Sequence, residues 1–270
     1  RTVNRSFFPL ILSEMKGVPP VEELLKWGGL PAVRSAIDAG DERAGLELLE
    51  AYVQNYLKIE IQEEALVKKL DGFVRFLEVA ALANAQVTNI AGISRDAAVH
   101  RPTVQGYFEV LTDTLLGAWL PAWRRKVKVK QVGHPKFYLF DPGVVRALTG
   151  RLREPLDNAE RGTLFETWIF HELRAHIAYS GCGGDLSYWA TPSDSEVDFI
   201  WSRGARAVGF EVKSSTTWRP EWAATLNELI EQKHLQTGIG VYNGTERLKI
   251  GKVDVVPLSF FAQNLGLWLN

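Results

Sequence analysis

The sequence predicts an α/β (α+β) chain: helical at its start, helical with a basic hairpin in its middle, and built on a mixed central sheet at its end. Three observations predict this. Apolar residues recur at spacings of three and four as far as Leu111. Lys and Val then alternate strictly from Lys126 to Lys130. Beyond Gly184 the period changes to short apolar runs of strand length. At a typical ~100 to 200 residues per domain, 270 residues suggest about two domains.

Taken in order, residues 20–27 read as a short helix with Pro20 near its start and Gly28-Gly29 after it. Residues 43–68 read as a long helix, with Leu46, Leu49, Val53, Tyr56, Leu57 and Ile61 on one stripe. Phe73, Phe76, Leu77 and Ala80 mark the next helix. A short one follows from Thr88, a plausible N-cap, to Ser94. A third opens at Pro102 and runs through Leu111. Lys126 to Lys130 and Lys136 to Phe140 then form a basic two-stranded hairpin. Three helices followed by such a hairpin is the order of a winged helix-turn-helix. In that arrangement the third helix reads a groove and the hairpin touches phosphate. Residues 157–179 are expected as a long helix. Strands follow at 186–190, 196–201 and 207–213, then a helix at 219–235 and strands at 238–242 and 253–257.

Composition excludes several classes. The chain is 46% hydrophobic and 23% charged, which rules out disorder as the main state. No uncharged run is long enough to span a bilayer, so no membrane partner is expected. No signal peptide opens the chain, and its single cysteine, Cys182, fits a reducing cytosol; a cytoplasmic location is expected. The chain starts at Arg1 without Met, which suggests a piece of something longer. The net charge of -1 is unevenly spread: -2 over residues 1–70, +4 over 71–150 and -3 over 151–270. The basic middle hints at a polyanion, here DNA. Its expected contacts are Arg101, Thr103 and Gln105 on the third helix, and Arg124, Arg125, Lys126, Lys128 and Lys130 on the hairpin.

One constellation suits chemistry. Alternation puts Glu196, Asp198 and Ile200 on one strand face and Val197, Phe199 and Trp201 on the other. It also groups Gly209, Glu211 and Lys213. Asp198 and Glu211, 13 residues apart, are at hairpin distance. Two carboxylates on neighbouring strands suit Mg2+ or Mn2+ that keeps several waters. Lys213 points to the same place, where an ammonium would orient water or stabilise transition-state charge. Glu166, on the long helix, is a further acid for that site. His171 and His176 are five apart, which turns them off a common helix face, so they are read as exposed or locally bonded rather than as zinc ligands. Trp119 and Trp123 are read as core residues.

Phe165-Glu166, Glu196-Val197-Asp198-Phe199 and Glu211-Val212-Lys213-Ser214-Ser215, in this order, resemble the PD-(D/E)XK nuclease superfamily. More closely, the chain resembles the C-terminal portion of prokaryotic AAA-type ATPases that carry domain of unknown function 4143. Phe8-Pro9-Leu10, Ser13-Glu14, Gly28-Gly29-Leu30-Pro31, Pro102 to Tyr107, Pro135 to Tyr138 and Asp141-Pro142-Gly143 carry that resemblance. It implies a helical linker over 1–70 after an ATPase domain, a winged helix-turn-helix over 71–150 and a restriction-endonuclease-like domain over 151–270. It also implies metal carboxylates at Asp198 and Glu211, a catalytic lysine at Lys213 and a helix-borne acid at Glu166. The chain has no G-x-x-x-x-G-K-[ST] loop, so it is expected not to bind ATP. Glu60 stands where the family more often has Asp. The expected function is metal-dependent phosphodiester hydrolysis on DNA, beside the ATPase domain of the same protein and possible further copies of the chain. The alternative is an inactive DNA- or protein-binding module.

Overall fold

The computed structural model describes residues 7–56, 70–124, 133–192 and 195–270. The chain is mixed α/β and falls into two compact units. One comprises residues 22–119 and 136–168; the other comprises 1–21, 120–135 and 169–270. Elements are numbered in chain order.

The first unit is mainly helical. Helix α1 (Val21–Trp27) has Glu22 and Glu23 in its first turn and Lys26 in its last, the arrangement a helix dipole favours. It buries Leu24, Leu25 and Trp27 and stops at Gly28, whose φ of 71° suits a residue without a side chain. Helix α2 (Pro31–Asp38) carries a short apolar stripe, Val33, Ala36 and Ile37. It is also held by buried Arg34, which bonds Glu23 at 2.7 Å and Asp38 at 2.8 Å. Asp41 caps α3 (Glu42–Ala51) through the Ala44 N–H. A π-type turn, Tyr52–Tyr56, follows. The remainder of the helix expected to residue 68, Glu60 included, lies outside the described residues.

Helix α4 (Leu70–Leu82) buries Phe73, Phe76, Leu77 and Ala80 as the periodicity requires. Helix α5 (Ile90–Asp96) is capped by Asn89, whose side chain accepts the Gly92 N–H at 3.0 Å; the cap is therefore not Thr88, which is buried. Helix α6 (Arg101–Asp113) turns Val104, Tyr107, Phe108 and Leu111 inward. Strands β1 (Gly117–Leu120) and β2 (Lys136–Leu139) pair, and Val87 forms an antiparallel bridge to Lys136. Phe76, Phe108, Trp119 and Phe137 form one chain of ring contacts, so Trp119 packs as expected. The strand expected at Lys126 to Lys130 lies outside the described residues; the described partner of β2 is β1.

Helix α7 (Pro142–Leu148) starts on a buried carboxylate. Asp141 accepts the Val144 N–H at 3.0 Å as its cap and the Gly29 N–H at 2.6 Å. The Gly28-Gly29 turn and the Asp141-Pro142-Gly143 motif thus form one clamp. Burial pushes the Asp141 carboxyl up to about 6, against the pull of these N–H donors. The long α8 (Asn158–Ser180) begins in this unit and continues in the other.

The second unit is built on a six-stranded mixed sheet in the order β3-β4-β5-β6-β8-β7. The strands are β3 (Asp185–Ala190), β4 (Glu196–Arg203), β5 (Arg206–Lys213), β6 (Thr237–Tyr242), β7 (Leu248–Ile250) and β8 (Val253–Pro257). β5, β6 and β8 run parallel to one another; the remaining pairs are antiparallel. The crossover between β5 and β6 carries a 3-10 turn, Pro220–Ala223, and α9 (Ala224–Glu231), shorter than the helix expected at 219–235. Leu226 and Leu229 pack in a cluster with Val197, Ile200, Trp218 and Val255. The opposite face carries Phe170 stacked on Phe199, and Phe210 edge-on to Phe261 of α10 (Leu258–Asn264). A last short helix, α11, spans Gly266–Leu269.

Strict alternation fails at one point in β4. Ser187 pairs with Ile200 but Trp189 pairs with Val197, so Asp198 and Phe199 together oppose Tyr188. This bulge puts Val197 and Ile200 in the same apolar cluster rather than on opposite faces. A second correction concerns His171. It is 4% exposed, with its pKa lowered to about 4 chiefly by burial, and it bonds the backbone near Pro9 and Leu10. Glu172, also buried, accepts the Leu12 N–H at 2.7 Å. The segment around Phe8 to Leu12 is thereby tied to α8. No helix among the described residues is long and apolar enough to cross a membrane.

Candidate functional site

β4 and β5 form the hairpin that the spacing of the two carboxylates requires. Phe199 lies opposite Phe210, and one further step brings Asp198 beside Glu211. There the side chain takes over from the ladder: Asp198 Oδ2 accepts the Val212 N–H at 2.7 Å. The β4 bulge falls at the same residue, a common position for bulges beside functional groups. Lys213 Nζ lies 2.5 Å from Glu211 Oε1 and 4.0 Å from Asp198 Oδ2. The three residues read from the sequence as metal carboxylates and lysine therefore converge.

Their electrostatics are strained. Asp198 and Glu211 are each 7% exposed, whereas the Lys213 side chain keeps 29% of its surface. Burial, then the Asp198 charge, push Glu211 well above the usual carboxylate range; Lys213 opposes this and Glu196 adds to it. Glu211 Oε2 is buried with no hydrogen-bond partner among the described residues. A divalent cation would suit this donor set, because it would supply the positive charge that one lysine cannot and would use the orphaned oxygen. Among the described residues no group of three or more His, Cys, Asp or Glu could hold a metal ion.

The neighbours of Glu211 on the parallel side were not read from the sequence. Glu211 is in register with Gly240 and Lys213 with Tyr242. A Cβ on Gly240 would come within 2.6 Å of the Trp218 ring, so the glycine admits the indole over β6. An isolated glycine inside a strand run was the available signal.

Glu166 accepts hydrogen bonds from Lys136 Nζ at 3.0 Å and from the Tyr138 hydroxyl, all within the helical unit. Arg101, Thr103 and Gln105 are exposed on the first half of α6, on the side away from its buried stripe, and Arg124 is exposed. Arg125, Lys126, Lys128 and Lys130 lie outside the described residues. Trp123 is buried in the sheet unit, as expected of a core residue.

Residues 19–154 match the family model described as Domain of unknown function (DUF8612), which covers half of the chain. The chain belongs to that family. Residues 161–261 match a second model, Domain of unknown function (DUF4143), known from AAA-ATPase-associated proteins. The DUF8612 stretch ends near the start of α8, and the DUF4143 stretch contains Glu166, Asp198, Glu211 and Lys213. "Uncharacterized protein Mb2031c" of Mycobacterium bovis and "Uncharacterized protein Rv2008c" of Mycobacterium tuberculosis are each 25% identical over 241 residues. Each match covers 88% of this chain and 53% of the relative, so the chain spans about half the length of these relatives. No solved structure matches.

Proposed function

We propose that this DUF8612 protein is a DNA-associated module of an ATPase-linked protein, and that Asp198, Glu211 and Lys213 hydrolyse phosphodiester bonds with the help of Mg2+ or Mn2+. The observation that carries this reading is the convergence of two buried carboxylates and one lysine, with Glu211 Oε2 left without a partner. When bound, the ion would polarise a phosphoryl oxygen and acidify a water. Asp198 and Glu211 would hold it, with Asp198 Oδ2 fixed by the Val212 N–H. Lys213, the more exposed member, would place its ammonium against the charge that develops on phosphate.

In the helical unit, three helices followed by two paired strands, with the Val87 bridge, support a winged helix-turn-helix. Its exposed Arg101, Thr103 and Gln105 suit groove contact; the exposed Arg124, which belongs to the sheet unit, suits phosphate by itself. An ATPase domain of the same full-length protein is the proposed partner.

A second reading has one observation in its favour. The Lys213–Glu211 bond already neutralises one carboxylate, which suits a module that binds DNA or protein without cutting. Calorimetric titration with Mn2+ separates the two. Native protein that binds Mn2+, with binding lost in Asp198→Ala, supports hydrolysis. A native protein that takes up no Mn2+ leaves only the binding module, for which DNA affinity should fall steeply with salt.

A further inference from the structure

The sequence offers nine tryptophans, and two of them sit where the hydrolytic reading gives them work. Trp218 follows β5 closely and folds back over Gly240, the residue in register with Glu211. It is 6% exposed, meets Tyr242 edge-on at 6.1 Å, and its Nε1 is buried with no hydrogen-bond partner among the described residues. Packing alone would favour an aliphatic residue there, because an indole leaves an N–H donor to be satisfied. Trp222 continues outward from it, with ring centroids 5.5 Å apart and planes at 90°. Trp222 is only half-buried, and the exposed Arg219 guanidinium lies over its ring at 5.5 Å. Glu211, Gly240, Trp218, Trp222 and Arg219 are thus linked neighbour to neighbour.

A half-exposed indole under a guanidinium is the kind of surface on which unpaired bases stack, since every base has a π face and the cation attracts the strand's phosphates. Bases in a closed duplex present no such face. We propose that Trp222 and Arg219, braced by Trp218, form a stacking platform at the rim of the Asp198–Glu211–Lys213 cluster, so that this site takes an unpaired nucleic-acid strand. The proposal rests on reading that cluster as the hydrolytic site, and its test is separable from cleavage.

The test measures anisotropy of labelled oligo-dT, oligo-U and a duplex of equal length, at low salt with EDTA present so that nothing is cut. Native protein, Trp222→Ala, Trp222→Phe and Arg219→Ala are compared, with far-UV circular dichroism confirming that each is folded. Trp222→Ala is expected to weaken single-strand binding about tenfold, more than it weakens duplex binding, and Trp222→Phe to restore most of the loss. The two oligonucleotides decide between DNA and RNA. Unchanged single-strand affinity in folded Trp222→Ala, or no single-strand binding by native protein, overturns the platform. A Trp222-dependent affinity in a protein that never cleaves retains the platform as a binding surface and removes the hydrolytic reading alone.

Discussion

Gly28 and Gly40 both adopt left-handed backbone, with φ of 71° and 79°, yet the same substitution should cost very different amounts at the two positions. At Gly40 an added Cβ meets nothing within 4 Å, so Gly40→Ala bears only the conformational penalty, ~1 to 2 kcal/mol. At Gly28 the Cβ would fall 2.0 Å from Asp141 Oδ1 and 2.4 Å from Oδ2. The carboxylate must then move, and its bonds to the Val144 and Gly29 N–H groups go with it. Losing the α7 cap costs ~0.5 to 2 kcal/mol. Leaving the buried Gly29 N–H without an acceptor costs ~1 to 3 kcal/mol. Gly28→Ala should therefore destabilise by about 2.5 to 7 kcal/mol, at least about 1.5 kcal/mol more than Gly40→Ala. Urea unfolding at neutral pH, with equal m-values as the control, gives both numbers. Equal costs at the two positions would refute the clamp between Gly28-Gly29 and Asp141.

The acid limb of stability should depend on His171. Its folded pKa of about 4 lies below its ordinary 6.5, so the unfolded chain binds the proton more tightly. That contribution is complete above about pH 6.5 and is lost as pH falls toward 4, to the order of 3 kcal/mol. His171→Leu should flatten urea midpoints between pH 4 and 6.5, and an unchanged profile would contradict the burial assigned to this side chain. Glu211→Gln should raise the urea unfolding midpoint at neutral pH, because a neutral amide avoids both burial of charge and the Asp198 repulsion. The same variant should lose Mn2+ binding; a destabilised variant that still binds the ion would contradict both points.

The sequence was most legible where a short-range pattern matches a long-range contact. Strands β4, β5, β6 and β8 could be read because their runs are apolar and bounded by turn residues, and the 13-residue spacing of Asp198 and Glu211 already implied the hairpin. Helix α2 was missed because its stripe, Val33, Ala36 and Ile37, is too short to set a period, and the Arg34 ion pairs that also hold it leave no periodic mark. Helix α7 was missed because it is buried nearly all round, Pro142 to Arg146 and Leu148, so no one-sided period shows. β1 is four residues long, too short for a period to show. The bulge at Asp198 depends on β3, so alternation along β4 alone misplaced Ile200. Trp218 and Gly240 escaped notice for a similar reason. Their place beside Glu211 is set by a parallel crossover, which no local spacing records.

DNA cleavage with Mg2+ or Mn2+ tests the central claim most directly. Linear, supercoiled and branched substrates are compared for native protein, Lys213→Ala and Asp198→Ala. The convergence of Asp198, Glu211 and Lys213 predicts that the native chain cuts at least one substrate and that each substitution abolishes cutting while DNA binding persists. A native protein that binds these DNAs, takes up the metal and leaves every one intact would contradict it.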